Sequence, residues 1–372
     1  MLALAVPLVL CGACSTLFYC ALPFTATRGE TIETNLVFGA VAGFGILFGA
    51  LFVAQGVAAW RGRESILAAR ILPPPGIFAI VFIGALAFGA ATLALESFSA
   101  PLVAYLFPFW HFIAASTPAL GWLAFTARRC GSQSSLRAVI AALGWGAFGA
   151  TLGAIAIEVI VGIILAAIAF IVLSLTPDGA AILAQLEREF AIARRAGEVT
   201  NLLHWLESPI VIAGTLFYFA LIVPLAEEAL KTLTLARMDA QRTLLRDAIL
   251  WGVSAGAGFA LVENIFNAGI VLDAWGAVIL LRAGTVTVHI ANGALMARGW
   301  YAARVERRWS RLGLWFAISV LNHALWNAAA LGLSALGFNR AFGANILTSA
   351  LIALLPMLAL MNVISILAAA RK

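Results

Sequence analysis

Apolar residues run along this chain in long unbroken blocks. They do not follow the three-and-four spacing of a soluble amphipathic helix or the alternation of a half-buried strand. A bilayer crossing needs about 20 mostly apolar residues, and ten blocks meet that length. They fall at about 3–25, 34–60, 74–95, 100–127, 138–175, 208–236, 248–270, 274–300, 312–335 and 343–370. The pattern predicts an all-α, polytopic membrane helical bundle of about ten transmembrane helices. There are no strand-like alternations and no internal repeats of 20–50 residues. The fifth block is anomalous, running nearly 40 residues without a loop and carrying Glu158 in its middle. It reads as one long tilted helix, a helix plus a re-entrant piece, or two crossings joined by a tight turn.

Composition agrees with the block pattern. Of 372 residues, 63% are hydrophobic and 11% charged, against roughly 45–50% and 25% in soluble domains. With a mean hydropathy of +1.03, a soluble enzyme, a disordered chain and a nucleic-acid-binding protein are excluded. The net charge of +6 is the basic excess expected of cytoplasmic loops. The basic residues also decide the fifth block. With one crossing there and the N-terminus inside, clusters at 61–70, 128–137, 237–246 and 298–311 all fall on the cytoplasmic side. The outside then holds only Arg28, Arg188, Arg194, Arg195 and Arg340. Two crossings would move the 298–311 cluster outside, so both termini are expected in the cytoplasm.

Several stretches need separate readings. Residues 1–24 lack a basic leading region and read as a retained helix rather than a cleaved signal peptide. Residues 177–207 are too charged to cross. They read either as an amphipathic helix at the outer surface or as a solvated linker. Glycine-rich runs at 144–153 and 252–258 predict faces where helices approach closely. Cys11, Cys14 and Cys20 lie in the first block and Cys130 in a basic loop, with no zinc-binding spacing among them.

An ionisable side chain inside a bilayer costs at least about 2.5–3.5 kcal/mol, so each one is a functional candidate. The first half of the chain offers His111 and Glu158. His111, between Trp110 and Phe112, reads as structural, and Glu158 as a packing-site or cavity-lining acid. The second half offers Glu227, Glu228, Lys231, Glu263, Arg282, His289 and His323, with Asn264, Asn292 and Asn327 among its amides. At about 1.5 Å per residue, Glu227, His289 and His323 all lie roughly 13–17 Å from the cytoplasmic ends of their blocks. Glu263 and Arg282 lie deeper, at about 23–27 Å. Two imidazoles with a carboxylate form a ligand set that suits zinc, with a further carboxylate available to activate bound water. Lys231, four residues from Glu227 and three from Glu228, is placed to compensate one acid while the other serves as a base. Asn327, one turn from His323, is either a donor to a developing oxyanion or an interhelical hydrogen-bonding group. Glu263 is either a third ligand or the buried partner of Arg282.

Taken in order, Glu227-Glu228-x-x-Lys231, Gly258-Phe259-Ala260-x-x-Glu263-Asn264, Arg282-x6-His289 and His323-x3-Asn327 resemble the PrsW family of intramembrane proteases, relatives of the type II CAAX prenyl proteases. The resemblance is close over about 205–330, loose over 144–158 and absent from the first 135 residues. It implies a membrane protease core at 136–372 behind an N-terminal four-helix region at 1–135. It implies that one glutamate of the Glu227–Glu228 pair activates water and that His289 and His323 complete the centre. The expected catalytic set is Glu227, Glu228, Lys231 and Asn327, with Glu263, His289 and His323 around a zinc ion. Glu263 stands where the CAAX relatives carry a histidine. The family's usual tyrosine three residues after Asn264 is replaced here by Asn267. The expected partners are a membrane protein or peptide substrate and the lipid bilayer of a bacterial plasma membrane. Two other classes of function compete with this reading. A proton-coupled transporter would call for inverted repeats, which the halves do not show. A non-catalytic scaffold has no need of so costly a polar layer.

Overall fold

The computed structural model describes residues 2–25, 31–95, 100–196, 209–267, 272–338 and 346–371. Helices account for all the extended regular structure among them, and the single β contact is an isolated bridge between Leu67 and Ser135. In chain order they are α1 (Leu2–Thr25), α2 (Thr31–Trp60), a short α3 (Ala68–Ile71), α4 (Pro75–Leu93) and α5 (Ala100–Arg129). Next come α6 (Leu136–Gly144), α7 (Thr151–Ser174), α8 (Pro177–Ala196), α9 (Pro209–Phe217) and α10 (Val223–Lys231). The last four are α11 (Leu245–Asn267), α12 (Trp275–Arg304), α13 (Trp309–Phe338) and α14 (Ile346–Ala369).

Among the described residues, nine helices are long and apolar enough to cross a membrane, and Ala5–Ala21 within α1 forms a shorter apolar helix. The chain is thus a polytopic helical membrane protein, and these ten elements follow the ten blocks of the sequence. The long fifth block is one span, Leu136–Ser174, of 39 residues. At about 1.5 Å per residue it far exceeds the roughly 30 Å hydrocarbon core. Its irregularity is a π-helical turn at Trp145–Ala150 between α6 and α7. The hydroxyl of Thr151 donates to the Gly146 carbonyl at 2.9 Å, taking up an acceptor that the widened turn leaves over. Helix α8 covers the first part of the charged stretch, with Phe190 and Ile192 exposed beside Glu187 and Arg188. Residues 197–208, which complete that stretch, lie outside the described residues.

The chain forms two compact units. One comprises Met1–Thr151, Lys231–Ser319 and Ala359–Lys372, and the other Leu152–Leu230 and Val320–Leu358. The first is built on α2, α5, α11 and α12, with Phe44, Phe48, Phe52 and Phe148 stacked edge to face in its core. Helices α11 and α12 touch backbone to backbone. A Cβ on Gly252 would collide with the Gly293 carbonyl oxygen, and one on Gly256 with that of His289. The small residues at 252–258 therefore set how near α11 comes to the histidine-bearing turn of α12. His111 on α5 is structural. The Trp275 indole N–H donates to its Nδ1 at 2.9 Å, and its Nε2 lies 2.8 Å from the Ile265 carbonyl oxygen. In the second unit the Tyr218 hydroxyl donates to the Glu158 carbonyl oxygen at 2.7 Å, tying α7 to the segment that leads into α10.

Candidate functional site

The first unit gathers Lys231, Glu263, Arg282 and His289 into one cluster. Phe259 and Glu263 are four residues apart on α11 and share a face, as do Arg282 and His289, two turns apart on α12. The close α11–α12 packing brings these two rows together. Arg282 Nη2 lies 2.9 Å from Glu263 Oε1, and His289 Nε2 lies 2.6 Å from Glu263 Oε2. Glu263 is thus the partner of Arg282 and, through its second oxygen, of His289 as well. Arg282 Nε also donates to Asn264 Oδ1 at 3.0 Å, and the amide of Asn264 donates to the Ala115 carbonyl at 3.3 Å.

His289 is held from both sides. Its Nδ1 lies 2.7 Å from Lys231 Nζ, and both residues are fully buried. An ammonium can only donate, so with Lys231 charged Nδ1 is the acceptor and Nε2, on the Glu263 side, carries the ring proton. The Lys231 ammonium also lies 4.2 Å from the centre of the Phe259 ring, a cation–π contact that holds the charge without water. Asn292, a turn beyond His289, donates to the Ser319 carbonyl at 2.9 Å.

The second unit gathers Glu227, Glu228 and His323. His323 Nδ1 is 2.8 Å from Glu228 Oε1 and 3.7 Å from Glu227 Oε2. All three side chains are buried. Asn327, one turn along α13, donates from Nδ2 to the Phe219 carbonyl oxygen at 2.9 Å. That carbonyl lies in a π-helical turn, Tyr218–Ile222, just before α10. The backbone N–H of Val223 bonds to Tyr218 O, and the next residue, Pro224, has no N–H to offer Phe219. The Asn327 amide supplies the missing donor and so fixes the start of the helix that bears both glutamates.

All seven expected site residues therefore belong to one cluster or the other, apart from Asn327, which anchors the second from one turn away. Sequence reasoning passed over Phe259 as the seat of the Lys231 charge and Phe219 as the partner of Asn327. A signal for the second was present, because Pro224 four residues before Glu228 marks a break in backbone pairing. Phe259 stands in one of the motifs that carry the resemblance, but nothing in the sequence assigned it to the Lys231 charge.

Many apolar spans with a few buried acids and imidazoles mark a polytopic membrane protein with polar groups in its interior. Residues 134–361 match the model of the PrsW family of intramembrane metalloproteases, and the chain belongs to that family. It is a peptidase of the metalloprotease type. No curated protein matches the chain, and neither does any solved structure.

Proposed function

We propose that the two clusters act as a single metal-dependent centre that hydrolyses peptide bonds of membrane proteins in or beside the bilayer, with zinc as the ion. Glu227, Glu228, His289 and His323 are all buried and are of the residue types that can hold a metal ion, and two imidazoles with carboxylates suit zinc. The observation that carries the proposal is that α10 contains Glu227, Glu228 and Lys231 within five residues. The acid pair that meets His323 and the ammonium that meets His289 thus hang on one helical turn. With Nε2 facing Glu263, Nδ1 is the His289 nitrogen that would take the metal, in place of its contact with Lys231.

When bound, the metal supplies Lewis acidity and lowers the pKa of a coordinated water. The protein's own groups do the rest. Glu263, itself anchored by Arg282, holds the His289 ring in one tautomer and orientation. Glu228 does the same for His323 at 2.8 Å. Glu227, standing off at 3.7 Å, is assigned as the base that takes the proton from the attacking water and delivers it to the leaving amine. A helical substrate hides its amides, so the scissile segment must unwind to reach these groups. The arginine bias supports cytoplasmic termini in a bacterial plasma membrane.

The test is metal content together with cleavage of a membrane-protein reporter. Wild type is expected to carry about one zinc ion per chain, and His289→Ala and His323→Ala are each expected to lose both metal and cleavage at normal expression. Full cleavage in both variants would remove the proposal.

A further inference from the structure

Away from these clusters, the first unit has two neighbouring cavities of about 540 and 650 Å³ that share Arg371 as a lining residue. Arg129 lines the smaller, and Arg246 and Arg298 line the larger. No acidic residue lines either one. The side chains of Arg246, Arg298 and Arg371 make no ion pair or hydrogen bond with any described residue. The nearest carboxylate in sequence, Asp247, is buried, and its Oδ1 already accepts from the Ser132 and Ser134 hydroxyls and the Gln133 N–H. Three guanidinium groups therefore line a cavity that has no acidic side chain among its described lining residues.

The level of the cavities narrows the ligand. Spans end at Arg129, Arg304 and Ala369, and another begins at Leu245, so the cavities lie where membrane-crossing helices terminate. Their walls are also apolar, with Leu244, Leu245 and Leu367 more than a third exposed. A free anion would satisfy the arginines and leave those leucines uncovered, and a neutral lipid would do the reverse. Positive-inside bias alone accounts for arginines in loops, such as Arg61 and Arg63, which line neither cavity. It does not account for a ring of them around a pocket with a leucine wall.

We propose that this pocket seats an anionic phospholipid. Its phosphodiester lies among Arg246, Arg298 and Arg371, and its acyl chains lie along the leucine wall. The experiment uses the full chain in detergent, with lipid retention read by native mass spectrometry during titration with phosphatidylglycerol or phosphatidylcholine. Wild type is expected to retain phosphatidylglycerol in preference to phosphatidylcholine. Each of Arg246→Ala, Arg298→Ala and Arg371→Ala is expected to weaken retention about fivefold, and the triple variant about 100-fold. The three corresponding lysine substitutions together preserve charge and should stay within about tenfold of wild type. A control triple variant, Arg61→Ala with Arg63→Ala and Arg70→Ala, removes the same charge and is expected to leave retention unchanged. Equal retention of the two lipids, an equal loss in the control, or displacement of phosphatidylglycerol by equimolar inorganic phosphate would each overturn the proposal.

Discussion

The two polar clusters are built from similar side chains that meet their histidines through different partners. Around His289 stand two cations, Lys231 and Arg282, and one carboxylate, Glu263. Beside His323 Nδ1 stand two carboxylates, Glu228 at 2.8 Å and Glu227 at 3.7 Å. A buried charge is tolerated when it is paired and hydrogen-bonded, and the first cluster is a chain of such pairs that ends on the ring nitrogens of His289. It is suited to holding a histidine still. The second cluster concentrates negative charge beside an imidazole, which suits taking up a cation and accepting a proton. The difference points to a division of labour, with orientation on α11 and α12 and proton transfer on α10.

The most severe test of that division is Glu227→Gln. Loss of a general base is expected to lower cleavage by about 10²–10⁴-fold, while zinc content stays near that of wild type. Loss of the metal as well would make Glu227 a ligand instead of the base. Next is Lys231→Met, which keeps the bulk and removes the charge. Breaking up a buried charged cluster is expected to destabilise the protein by about 3–5 kcal/mol, read as a lower midpoint of unfolding in detergent. Unchanged stability would mean that the ammonium is not part of the charge balance. Glu263→Gln should weaken zinc binding by about 10–100-fold, the usual effect of removing a carboxylate that orients a ligand histidine. A competitive chelator titration reads that change, and cleavage should recover in excess zinc. Failure to recover would place Glu263 in the chemistry itself. The smallest effect is expected for Asn327→Leu, which leaves the Phe219 carbonyl without its donor at a cost of about 1–3 kcal/mol. Zinc affinity should change little, and a complete loss of cleavage at normal stability would instead favour a direct role for the amide at the oxyanion.

Much of this was legible in one dimension because the bilayer makes a simple demand on sequence. The apolar blocks marked the helices, and the basic loops favoured one crossing for the block at 138–175, which the structure forms as one candidate span. The same hydropathy rule picked out the costly side chains of the second half, which the structure places in two buried clusters. The role of His111 as a packed histidine could be read from its aromatic neighbours. The two readings of Glu263 and of Asn327, by contrast, could not be separated by counting along the chain. Helical rise gives depth to within about a turn, but not which way a side chain points or what it meets. Glu263 reaches both Arg282 and His289 because Gly252 and Gly256 let α11 lie directly against α12. Asn327 meets Phe219 because Pro224 leaves that carbonyl without a donor.

The linear order of residues was therefore enough to establish a multi-span helical protein of the PrsW family and to single out a small set of candidate polar groups in it. Only the tertiary structure decided which group holds which histidine. Hydrophobic length and charge bias act on each segment separately, whereas a hydrogen-bond partner in a dry interior depends on how closely two backbones can approach.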